Sequence, residues 1–150
     1  MMATMSNKYS ADNAASRAKL EALVGRLTDK EVSRPAQHGW TVGGILAHLA
    51  FYDYRAVVLL EKWKTNAIGP SPNDVDTIND ALKPIANAVA PAEIRRVVVE
   101  AARAADAAID ALDPGFLARV ESEGTAVRLN RAQHRSHHLE QVEKAMAGGQ

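Results

Sequence analysis

Apolar residues recur at helical spacing along almost the whole chain, and proline and glycine interrupt the pattern at a few points. No stretch alternates apolar and polar residues as a half-buried strand would. Leu20, Leu23, Val24 and Leu27 lie three and four apart, one stripe on a helix over about 11–27 with Ser10 or Asp12 as its cap. "SRPAQHG" then breaks the chain at Pro35 and Gly39. Thr41 is a good N-cap for "VGGILAHLAFYDYRAVVLLEKWK", so a second helix is expected over about 41–66, although Gly43 and Gly44 weaken its first turn. "AIGPSPND" cannot continue it. A short helix over about 74–89 is expected to be disturbed at Pro84. Pro91 suits the first turn of a helix over about 91–112, which "DPG" stops at 113–115. Thr125 is the expected cap of a last helix over about 125–146. Four main helices with short joins predict an all-α fold, a four-helix bundle forming a single domain over 1–150.

Composition narrows the function. Eighteen basic residues balance eighteen acidic ones and no basic block occurs, so nucleic acid and anionic membranes are not expected partners. Cysteine is absent, which excludes disulfides, thiol nucleophiles and thiolate metal ligands. A metal would have to use histidine, carboxylate and water. "MMATMSNKYS" has neither a long apolar run nor a basic leader, and no later stretch approaches the ~20 apolar residues of a membrane span. A cytoplasmic protein with a small-molecule substrate is the expectation.

Three of the five histidines, His134, His137 and His138, fall within five positions. At about 100° per residue, His134 and His138 lie about 40° apart, on the arc shared by Val127, Val142 and Ala145. His137 falls on the other side and reads as a surface residue. His48 sits on its own helix at the edge of a face made by Ile45, Tyr52, Ala56, Leu59 and Trp63. Two readings are open: core histidines bonded to neighbours, or three imidazoles on facing helices that share an ion. Three such ligands suit zinc, nickel, copper or iron(II) and leave a position for water or substrate. The H-E-x-x-H motif and any Glu-x-x-His pair are absent.

Two segments carry a family resemblance: "HGWTVGGILAHLAFYD" (38–53) and "AQHRSHHLEQVE" (132–143). The chain resembles the DinB-like superfamily of four-helix metalloenzymes, which have a tryptophan shortly before the second helix, a histidine a few residues inside it, and H-x-x-x-H on the last. Trp40, His48, His134 and His138 match those places. The resemblance implies His48, His134 and His138 as ligands of a divalent metal, zinc or nickel. It also implies transfer of a low-molecular-weight thiol cofactor, as in relatives that use bacillithiol or mycothiol. Relatives are often dimers, and the alanine-rich helix 91–112 could meet a partner.

Around the histidines, Arg128, Arg131 and Arg135 form a stripe. Arg131 could hold a carboxylate or phosphate, or the three could pair with surface acids such as Glu121 and Glu123. Tyr52, Trp40 and Asn79 are further substrate-binding candidates, each with a plainer alternative as a packing or capping residue. Asp53 lies about 140° from His48, too far round to be a direct ligand. The leading expectation is a metal-dependent transferase activating a thiol, or a hydrolase activating water. The alternatives are a non-catalytic metal-binding or stress-associated bundle and a plain helical interaction protein.

Overall fold

The computed structural model describes residues 6–72 and 74–148; the opening "MMATM" and the last two residues of the tail lie outside them. Among the described residues seven α-helices follow one another: α1 (Ser10–Arg26), α2 (Asp29–Val32), α3 (Val42–Thr65), α4 (Val75–Asn87), α5 (Pro91–Asp110), α6 (Pro114–Glu123) and α7 (Ala132–Gly148). A 3-10 turn, Gln37–Gly39, precedes α3, and the described residues contain no strand. The all-helical class is as expected. Helix number is not, because two short helices arise from local capping. Thr28 and Glu31 close a capping box around α2. Asp113 accepts from the Phe116 amide, so "DPG" both ends α5 and starts α6.

Two helix starts also differ. α1 has Tyr9 at its cap position with no side-chain cap; the Ser10 hydroxyl donates instead to Asp110 at 2.6 Å. α7 begins at Ala132, not at Thr125. Asn13, wholly buried on α1, explains this: its Nδ2 donates to the Leu129 carbonyl at 2.9 Å and its Oδ1 accepts from the Arg131 amide at 2.7 Å. Those bonds hold 129–131 in a non-helical course, and Asn130 Oδ1 then accepts from the Ala132 amide. Val127, placed on the last helix by its spacing, is therefore in a loop, although still buried. α4 runs through Pro84 to Asn87 without a break.

The four longest helices pack in a ring: α1 against α5 and α7, and α3 against the same two, with α4 laid on α3. Two apolar clusters fill the interior. One gathers Leu20, Leu46, Leu49, Val98 and Val142; the other gathers Leu60, Trp63, Ile109, Val120 and Leu129. A buried polar layer separates them, made of Asn13 and Ser16 on α1, Asp53 on α3, Asp106 on α5, and Arg131 and Arg135 beside and on α7. Ala101, Ala102 and Ala105 are fully buried within this packing, so the small-residue face of α5 is used inside the chain.

Gly43 and Gly44 have a structural reason. A Cβ on Gly43 would lie 2.8 Å from Val32 Cγ1, and one on Gly44 would lie 2.0 Å from Asn87 Oδ1. The start of α3 is thus pressed against α2 and α4. Thr41 caps it as expected, its hydroxyl accepting from the Gly44 amide at 2.9 Å. α3 is long and apolar enough in composition to cross a membrane, which the sequence reading did not anticipate. Its apolar side is taken up by both clusters, and the buried Asp53 lies in its middle.

Candidate metal centre

α3 brings His48 to the edge of the first apolar cluster, and α7 brings His134 and His138 opposite it. Each of the three offers a ring nitrogen within 4.8 Å of the others. Ring centroids are 4.5 Å apart for His48 and His138, 4.7 Å for His134 and His138, and 5.3 Å for His48 and His134. The Nε2 atoms of His48 and His134 are 3.3 Å apart. Two nitrogens ~2.0–2.1 Å from one tetrahedral ion would stand about 3.4 Å apart, so the pair already has the spacing such an ion requires. The same distance fits one N–H···N hydrogen bond, but that bond would not account for the third imidazole on the same point.

The electrostatics favour neutral rings, the form that ligates a metal. Burial, reinforced by the neighbouring His138, pushes His48 down to about 4. Burial, with His138 and Arg131 adding to it, pushes His134 down to about 2. Burial also lowers His138. His138 Nδ1 donates to Gln141 Oε1 at 2.6 Å, which leaves Nε2 as the nitrogen free to ligate. His48 Nδ1 is buried without a hydrogen-bond partner among the described residues. Packing holds that ring instead, with Trp40 edge-on at 5.6 Å and Tyr52 at 4.9 Å between centroids. His137 is exposed, as its place on the wheel predicts.

Two hollows meet at this cluster. The smaller, of about 110 Å³, is bordered by Trp40, Asn79, His138 and Gln141. The larger, of about 600 Å³, is bordered by Tyr52, Asn79, Arg131 and all three histidines. The four substrate-binding candidates therefore all border the site, with Trp40 on the smaller side only. Tyr52 donates its hydroxyl to Asn79 Oδ1 at 3.1 Å, tying α3 to α4 across the hollow.

Arg131 and Arg135 do not pair with Glu121 or Glu123. Glu121 is held by Lys8 and Tyr9. Arg131 Nε donates to Asp53 Oδ1 at 2.9 Å. Arg135 is completely buried and reaches Asp106 Oδ1 at 2.8 Å and Oδ2 at 3.0 Å. Its Nη2 also lies 3.4 Å from Asp53 Oδ2. Two members of that stripe, Arg131 and Arg135, thus belong to the polar layer of the core, while Arg128 stays exposed in the loop before α7. Asp106, Asn13 and Gln141 have no part in the expectations from sequence, and Asp53 enters them only as a carboxylate too far round to be a ligand. Asp53 alone left a signal, a carboxylate in the middle of an apolar helix.

The sequence pattern that defines the DinB superfamily matches residues 13–142. The chain belongs to the DinB superfamily. The match spans α1 to α7 and takes in all three clustered histidines. No curated protein and no solved structure matches the chain. In this DinB-superfamily chain the histidine trio is thus a group that could hold a divalent metal, built on the first long helix after the 3-10 turn and on the last helix.

Proposed function

We propose that this DinB-superfamily protein is a metal-dependent enzyme in which His48, His134 and His138 hold a zinc or nickel ion. The observation that carries the reading is a set of three converging imidazoles bordering a hollow of about 600 Å³. Three ligands beside open space resemble catalytic rather than closed structural sites. A plain interaction protein would have no need to converge three rings, and a structural metal would not need the hollow.

The reaction we favour is transfer of a low-molecular-weight thiol to a small electrophile, with hydrolysis by water as the alternative. A bound divalent ion would supply acidity, deprotonating a coordinated thiol or lowering a water's pKa to ~7. The chain's own residues supply the rest. Gln141 orients His138; the Arg131–Asp53 pair fixes the start of α7; Tyr52 and Asn79 form the wall against which a substrate would lie. Burial raises the Tyr52 hydroxyl above its ordinary range, so it serves as a hydrogen-bond donor and not as a base. The open side of the hollow would let the proton of such a thiol pass to solvent.

Metal analysis of tag-free protein, paired with His134→Ala, tests the centre. One equivalent of metal in the wild type and none in the variant is expected. A panel of thiols and alkylating electrophiles, followed by loss of free thiol, then separates transfer from hydrolysis. Metal-dependent turnover that needs no thiol would favour the hydrolase.

A further inference from the structure

The larger hollow is strongly one-sided in charge. Arg55, Arg128 and Arg131 border it, and no aspartate or glutamate does so among the described residues. This contrasts with the chain as a whole, whose acids and bases cancel. The three guanidiniums differ in how they are engaged. Arg55 is committed to the walls, donating to the carbonyls of Ala126 and Ser71 at 3.0 and 2.9 Å. Arg131 spends Nε on Asp53 and Nη1 on the Arg128 carbonyl at 3.3 Å, and its Nη2 has no protein partner among the described residues. Arg128 is exposed, and its guanidinium has neither an ion pair nor a hydrogen bond there.

The first turn of α7 meets the same space through Gln133 and His134. Asn130 takes the Ala132 amide, but the partial positive charge of the helix N-terminus still adds to the field of the arginines. A nearly buried arginine with a free edge, a second arginine without a counter-ion and a helix start form a receptor for a planar or tetrahedral oxyanion. Asp53, the buried acid that engages Arg131, also faces Arg135 and does not border the hollow.

We propose that this hollow is an anion subsite: the DinB-superfamily protein's small-molecule ligand carries a carboxylate or phosphate that Arg128 and Arg131 bind while its reactive end lies at the histidines. The assignment deepens the proposed function and rests on that hollow being the substrate chamber. Arg55 adds charge and holds the wall. An amine or a purely apolar ligand would be disfavoured by the same field.

The test is calorimetric titration of the full chain at low ionic strength with inorganic phosphate and, separately, with succinate. Metal-free and zinc-loaded protein are both used, with zinc content read on each sample. Saturable binding at one site is expected for at least one anion. Arg128→Gln is expected to weaken it by about tenfold or more, and Arg131→Lys, which keeps charge but loses the fork, to weaken it as well. Circular dichroism of each variant checks the fold. Whichever anion binds more tightly names the group. No saturable binding of either anion, or equal binding to wild type and Arg128→Gln, would overturn the subsite. If zinc is taken up while anions are not, the subsite fails and the metal centre stands. If anions bind while zinc does not, the reverse holds.

Discussion

Arg131 Nε donates to Asp53 Oδ1 at 2.9 Å in the interior, with both side chains almost wholly buried. This pair joins the middle of α3 to the residue just before α7, the two helices that carry the three histidines. Asp53 also faces Arg135, and Arg135 grips Asp106 on α5. The polar layer between the apolar clusters therefore acts on the site at one remove, by fixing the start and rotation of α7.

Asp53→Ala leaves two buried arginines short of a counter-charge. Removing one partner of such a pair typically destabilises by about 3–5 kcal/mol. Urea denaturation is expected to show a loss of that order. A change below about 1 kcal/mol, the scale of a surface ion pair, would mean that the layer is solvated and does not set α7.

The metal-free protein is expected to lose stability in mild acid. His48 and His134 are held at about 4 and about 2 in the folded state, against ~6.5 when unfolded. Below pH 6.5 the unfolded chain binds more protons, so stability falls as pH drops toward 4. It continues to fall below 4 on account of His134. Each histidine contributes a slope of up to about 1.4 kcal/mol per pH unit in its window. Denaturation midpoints between pH 7.5 and 4.5 check this; a flat profile that His48→Phe leaves unaltered would contradict it.

Gln141→Ala is expected to weaken zinc affinity by about 10- to 100-fold while leaving the fold intact, because it frees the His138 ring to turn. His137→Ala, on the exposed side, should leave affinity unchanged. Competition against a chromogenic chelator measures both. Equal affinity in Gln141→Ala and wild type would remove the orienting role from Gln141.

Gly44→Ala is expected to destabilise, although alanine in an open helix position would help by about 1 kcal/mol. Its Cβ would meet Asn87 Oδ1, which cannot simply swing aside because it accepts from the Thr41 amide while Asn87 Nδ2 donates to the Gly39 carbonyl. Overpacking of this kind typically costs about 1–3 kcal/mol. A thermal melt that moved upward would show the α3–α4 contact to be loose.

The sequence by itself determined the helical class, the long helices α1, α3 and α5 to within a few residues, and the inward placement of His48, His134 and His138 against an outward His137. Those features follow from local rules: apolar spacing, the Thr41 cap, Pro91 at a helix start, and 100° per residue. Family resemblance adds the expectation of a metal at those histidines, which the structure shows as a group that could hold one. Only the tertiary structure decided the start of α7, the inward course of Arg131 and Arg135, and the reason for Gly43 and Gly44. Each depends on a partner far along the chain: Asn13 for 129–131, Asp53 and Asp106 for the arginines, Val32 and Asn87 for the glycines. Periodicity within a helix reports which residues share a face. It carries no information about the distant group that meets that face, and a buried charge is favourable only through that group.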